Sequence, residues 1–406
     1  MAKKRMQTWL ALLVLAIGGL LLAVLGLFAY VSFTARPLPP NARDMPSVSN
    51  AAPATRWAGV VKEAQGLVRA GITEQNLPGL SVAVGVNGDS VWAEGFGWAN
   101  VENLVRVTPD TRFRAGGAAM ALTSTAVGLL LEQDRLKLDD EIQTSVPAFP
   151  KKQWPVTLRQ LMGHVAGIRS DEGDEEPLSA RCERTVDALK RFAETPLRFE
   201  PGTQYRYSTY GWILVSASIE AAAKQPFFTF MTTQIFEPLD MDDTRPDVET
   251  DPIPDRATFY YPRFASDPRY GPELAREGDY SCFAGAGGFL STPSDLVRFG
   301  LAINNGKPLQ PATIKVLQTS QRLASGKETG YGLGWDLETV SLAGAQTRMV
   351  GHDGEYFIGG STSLMTFPDR GVVVSVMTNT SFADAAAMAV KVAQVFAEQE
   401  TRPARK

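Results

Sequence analysis

Two histidines, His164 and His352, and two cysteines, Cys182 and Cys282, are all the nitrogen and sulfur metal donors that this 406-residue chain offers from those residue types. No pair among them has zinc-ligand spacing, so no metal site is expected. The Gly287-Gly288 pair is not followed by Lys-Ser or Lys-Thr, as a phosphate loop would require. It reads as a place where two backbones pack closely, and no cofactor is expected. The acidic run Asp171-Glu172-Gly173-Asp174-Glu175-Glu176 reads as a solvated loop.

Six ordered segments carry a sharper signal. Thr111-Arg112-Phe113-Arg114 leads to Gly116. Leu158-Arg159-Gln160-Leu161-Met162-Gly163-His164-Val165-Ala166-Gly167-Ile168 follows, then Glu200-Pro201-Gly202 with Tyr207-Ser208-Thr209-Tyr210-Gly211. Gly287-Gly288-Phe289-Leu290-Ser291-Thr292 with Asp295-Leu296 is the fourth. Tyr331-Gly332-Leu333-Gly334-Trp335 and His352-Asp353-Gly354 complete the set. Together they resemble the serine β-lactamase and penicillin-binding-protein family, in its class C-related branch. Thr209, where that family usually has Asn, is similar to the mitochondrial serine β-lactamase-like branch.

The resemblance implies a definite chemistry. A Ser at the first turn of a helix attacks a carbonyl, and a Lys three residues on shares its helix face and takes its proton. A Tyr relays the proton, a Lys or His on a strand orients the group, and backbone N–H groups hold the oxyanion. Aligned on Arg114 and Gly116, this chain reads Gly117-Ala118-Ala119-Met120 where the family has Ser-x-x-Lys. Gly117 cannot form an acyl-enzyme, and a thioether at Met120 cannot act as a base near neutral pH. Losing the nucleophile alone can cost about 10⁶ in turnover. Ser124 is the nearest hydroxyl on the same face, about two turns away, on the order of 10 Å.

The resemblance therefore implies an inactive relative of a serine hydrolase, with Tyr207, Thr209, His352 and Gly354 as remnants of a cleft for a peptide, peptidoglycan-like or acyl ligand. His164 is expected to be structural. One alternative is a hydrolase in which Tyr207 is the nucleophile and His352 its base. Another is a scaffold role for the fold, with an unidentified protein partner. Restoring both groups, Gly117→Ser with Met120→Lys, would then rebuild an acylable site.

Other elements must hold these residues in place and place them in the cell. Residues 1–7 carry Lys3, Lys4 and Arg5, and residues 8–33 are free of charge. About 25 helical residues span about 37 Å, enough to cross a hydrocarbon core of about 30 Å. A cleaved signal peptide has a shorter apolar region, so the run reads as a signal-anchor helix. The basic side stays in the cytoplasm, which places the rest in the periplasm or its equivalent. Residues 34–56, with Pro37, Pro39, Pro40, Pro46 and Pro53, read as an extended tether. The β-lactamase-related domain is assigned to 57–398, followed by a polar tail at 399–406.

The net charge of −4 argues against a nucleic-acid partner. Strand-like runs cluster at the two ends of the domain: Gly79 to Val86, Ser90 to Phe96, Thr347 to Gly351, Gly360 to Phe367 and Gly371 to Thr378. Asn87-Gly88 is a hairpin signal. Between them, Ala118 to Gln133, Leu158 to Met162, Arg184 to Glu194, Gly211 to Ala223 and Pro226 to Ile235 read as helices, and Ala383 to Glu398 as the last one. The expected fold is α+β: an antiparallel sheet built from both chain ends, flanked by helices, with an inserted, mainly helical lobe. Cys182 and Cys282 are either a disulfide or two separate buried thiols.

Overall fold

The computed structural model describes residues 2–34, 38, 44–170, 181–248, 253–263, 271–275, 278–356 and 359–401. The acidic run at 171–176, residues 35–37 and 39–43 of the Pro-rich stretch, and the tail from 402 onward lie outside the described residues.

Helix α1 (Ala2–Thr34) contains the stretch Arg5–Phe33, whose most apolar 18-residue window has mean hydropathy 2.8, long enough to cross a membrane. The domain is organised on an eight-stranded antiparallel sheet. Its order runs β1 (Ser47–Val48), β3 (Asp89–Asn100), β2 (Gly79–Val86), then Val372–Thr378, Gly360–Phe367, Ala345–Tyr356 and Asp336–Leu342, with Val105–Arg106 pairing β3. Both chain ends meet where β2 pairs with Val372–Thr378, Val84 opposite Val374.

Side-chain alternation explains why these runs become strands. Leu80, Val82, Val84 and Val86 point to one face with Val372, Val374 and Val376. They bury against α2 (Ala58–Gln75) and the C-terminal helix Ala385–Thr401. Ala83, Val373 and Met377 point to the other face, which the helix Pro293–Asn304 covers. The strands are buried on both faces, so they read as apolar runs without polar alternation. The Asn87-Gly88 hairpin forms as expected, with both residues at positive φ, 51° and 95°.

The middle of the chain supplies α3 (Ala118–Glu132), α4 (Leu158–Met162) and α5 (Thr209–Ala223), packed in the larger core. A capping box starts α4: Thr157 accepts from the Gln160 N–H, and the Gln160 side chain accepts from the Thr157 N–H.

Three expectations change. The helix expected over 184–194 is a 3-10 turn, Thr185–Arg191. The one expected over 226–235 is α-helical only for Phe227–Met231 and continues as a π turn, Thr232–Phe236. The tether does not extend to residue 56. Ser47–Val48 adds to the edge of β3, Arg69 reaches Met45 O and Ser47 Oγ, and Asn50 donates to Asp110. Adding a strand needs backbone groups rather than apolar side chains, so a polar Pro-containing segment could do it without an apolar signature. Cys182 and Cys282 are bonded to each other, Cα atoms 4.9 Å apart, which settles the alternative left open by the sequence. The bond ties the Thr185–Arg191 region to Ser281–Ala286.

Candidate functional site

At the start of α3, Gly116 turns the chain at φ 52° and Gly117 is the N-cap, at φ −60° and ψ −25°. The Ala345–Tyr356 strand runs beside this helix start. A Cβ added at Gly354 would sit 2.5 Å from the Gly117 nitrogen. A Cβ added at Gly117 would sit 2.3 Å from the Asp353 carbonyl oxygen and 2.6 Å from Nδ1 and Cε1 of the His352 ring. Two glycines thus let two backbones touch at the start of α3. The position lacks room for a side chain as well as a hydroxyl. A serine here would require the Asp353 carbonyl and the His352 ring to shift, which counts against the expected rescue.

One turn on, Met120 is fully buried. Its sulfur accepts a hydrogen bond from the Tyr207 hydroxyl at 3.3 Å, and the Tyr331 hydroxyl lies 3.9 Å away. Tyr331 itself is bonded to His352 Nε2 at 2.8 Å, and His352 Nδ1 to the Asp353 carbonyl at 2.6 Å. A carbonyl oxygen only accepts, so Nδ1 carries the proton and Nε2 accepts from Tyr331. Burial pushes the Tyr331 hydroxyl well above its ordinary range, with Tyr207, Asp336 and Tyr205 adding to the rise, so it stays a donor. His352 therefore has no free lone pair to offer Tyr207, whose ring centroid lies 6.1 Å away. His352 is thus not placed to act as a base for Tyr207. Ser124 is also spent: its hydroxyl is buried and donates to the Leu333 carbonyl.

The structure thus gathers Gly117, Met120, Tyr207, His352 and Gly354 at one place. Thr209 opens α5 one residue past the Ser208 N-cap, and none of the cluster's hydrogen bonds or ring contacts among the described residues uses it. Tyr331 is the member that sequence reasoning passed over, although it heads one of the six segments. Its role depends on a hydroxyl meeting His352 across 21 positions, which spacing does not reveal. Among the described residues no group of three or more His, Cys, Asp or Glu is placed to hold a metal ion.

His164 completes the aromatic wall, its ring 4.3 Å from Tyr207 and 4.7 Å from Tyr331. Its Nδ1 accepts from the Ser208 N–H at 3.0 Å. Burial, with a smaller contribution from His352, holds its pKa well below 6.5. A histidine kept neutral in the fold gains a proton on unfolding below about pH 6.5, so stability falls as pH drops through that window, by up to about 1.4 kcal/mol per pH unit. Urea midpoints measured from pH 7 to pH 5 should show that His164→Asn loses this part of the slope. Asn suits the left-handed backbone at φ 58°, so the variant retains the local turn. Equal slopes in both proteins would show that His164 is not the group responsible.

The Beta-lactamase family model matches residues 64–397. Human serine beta-lactamase-like protein LACTB, mitochondrial, is 27% identical over 444 residues, covering 84% of this chain and 80% of that protein. Among solved structures, the octameric penicillin-binding protein homologue from Pyrococcus abyssi superposes at a TM-score of 0.68 with 24% identity, over 81% of this chain and 76% of that one. EstCE1, a hydrolase with promiscuous acyltransferase activity, superposes at 0.71 with 22% identity, over 84% and 98%. At these identities the superpositions establish the fold.

Proposed function

From the premise that the chain belongs to the beta-lactamase family, we propose that it is a catalytically inactive member, anchored in a membrane by its N-terminal helix with the folded domain outside the cytoplasm. The observation that carries the inactivity is the closed space at residue 117, where Asp353 O and the His352 ring stand where a nucleophile's Cβ would be. The buried Met120 in place of a base and the double engagement of His352 support the same reading. A peptide, peptidoglycan-like or acyl ligand would meet the rim of the old cleft, where Tyr205 and Tyr207 are each 38% exposed. Ring faces and hydroxyls there suit reversible binding.

Incubation with a β-lactam or a fluorophosphonate is expected to leave the intact mass unchanged. A stoichiometric adduct mapped to any hydroxyl near Tyr207 would overturn the reading.

The orientation rests on Lys3, Lys4 and Arg5 preceding the apolar run, since basic residues are retained on the cytoplasmic side. In a bacterial host, alkaline phosphatase fused at the C-terminus should be active. A silent phosphatase together with an active cytoplasmic reporter at the same point would reverse the topology. The disulfide supports an oxidising compartment independently of the charge rule.

A further inference from the structure

Outside the N-terminal helix, three large apolar side chains among the described residues stand more than half exposed: Leu104 at 64%, Leu274 at 59% and Val105 at 52%. Leu274 is distant in sequence from the adjacent Leu104 and Val105, yet its pairing partner reaches the same tip. Val105 pairs with Asn100 and Arg106 with Trp98, so residues 101–104 form a tip beyond the end of β3. Leu274 pairs with Tyr260, whose hydroxyl accepts from the Val101 N–H at 2.8 Å and donates to Glu102 at 2.6 Å. Leu104 holds a left-handed backbone, φ 54°, with its side chain in solvent. Water gives no return for that combination.

The N-terminal helix reaches the domain at the same end. β1 is antiparallel to β3, with Ser47 opposite Phe96 and Pro46 O bonded to Gly97 N–H, so the chain traced back toward the helix runs toward Asn100. β2 begins there too, Gly79 opposite Gly97. Asn76, just before β2, accepts from the Leu38 N–H at 2.6 Å. Leu38 is four residues past Thr34, the end of the helix, a reach of at most about 14 Å. Val31, in the last turns of that helix, is buried.

We propose that the Leu104–Val105 tip and Leu274 make a second, shallow contact with the lipid surface that the helix crosses, holding this end of the sheet against the headgroups. The proposal rests on the helix being a membrane anchor. The exposed carboxylates Glu102 and Glu273 flank the patch, which confines it to interface depth and keeps it out of the hydrocarbon. Arg106, exposed beside the tip, suits an anionic headgroup.

The test uses the full chain in vesicles of phosphatidylcholine and phosphatidylglycerol. The two native cysteines are bonded to each other, so a single introduced cysteine takes an environment-sensitive fluorophore. Labels go in turn at Leu104→Cys, Val105→Cys and Leu274→Cys. Val316→Cys is the reference: it is 42% exposed and lies on the short helix Pro311–Leu317, which packs on α3. Leu20→Cys reports on the helix itself. The expected result is a blue-shifted emission at 104, 105 and 274 that is lost when shallow-brominated lipid is included, with no loss at 316. Quenching at 20 but water-like emission at 104, 105 and 274 would overturn the surface contact and leave the anchor standing. Water-like emission at 20 would overturn both.

Discussion

Gly117→Ser combined with Met120→Lys is expected to leave the protein unacylated and markedly less stable than the parent. The serine Cβ must displace Asp353 O from 2.3 Å and the His352 ring from 2.6 Å. Asp353 is paired with Ser363 of the neighbouring strand, which limits how far its carbonyl can move. Overpacking of this kind costs about 1–3 kcal/mol. The lysine enters a site with no exposure, ringed by Tyr207 and Tyr331. An unpaired buried cation costs about 3–5 kcal/mol, less where it sheds its proton instead. Urea unfolding should show a combined loss above about 3 kcal/mol, and intact-mass spectrometry after β-lactam treatment should show no adduct. An adduct at residue 117 with parental stability would mean that the strand and helix separate readily, and that the closure at Gly354 is not a barrier.

The second large effect is expected at Asp247→Asn. Arg114 Nε donates to Asp247 Oδ2 at 2.9 Å, with side-chain exposures of 2% and 0%. The guanidinium also lies 4.0 Å from the ring centroids of both Phe259 and Tyr280. Arg256 donates to the other carboxylate oxygen at 2.7 Å. Neutralising the shared carboxylate takes the charged acceptor away from the buried Arg114, at a cost of about 3–5 kcal/mol. Arg256→Ala should cost clearly less, because that side chain is 21% exposed and water can take over. Both variants are read by the same urea titration. A loss within about 1 kcal/mol for Asp247→Asn would show that the pair is dispensable. The effect reaches the site, because Arg114 O accepts from the Thr362 hydroxyl at 2.7 Å and Gly116-Gly117 follow directly.

Much of the architecture was legible in the chain. Apolar runs such as Gly79–Val86 and Val372–Thr378 have one stable use, as strands covered on both faces. Asn87-Gly88 specifies its turn through its own backbone preference. That residues 117 and 120 are Gly and Met is a fact of residue identity, and the flanking segments are what suggest setting them against Ser and Lys. The apolar helix needs only composition and length. Short elements escaped, including Ser47–Val48 and the edge strand Asp336–Leu342, because backbone pairing to an existing sheet leaves little mark on side-chain pattern.

Tertiary structure alone decided the rest, and in each case the reason is a contact between residues distant in sequence. Whether Cys182 and Cys282 bond depends on a Cα separation that no spacing encodes. His352 reads in the sequence as a cleft residue and, in one alternative, a base, and becomes a fully engaged ring only when Tyr331 meets one nitrogen and Asp353 O the other. Leu274 has no evident relation to Leu104-Val105 until its partner Tyr260 bonds to the tip at Val101 and Glu102. The sequence by itself determined that position 117 has no nucleophile. Only the fold determined that it has no room for one, because that depends on how closely the backbone at Gly354 approaches the backbone at Gly117.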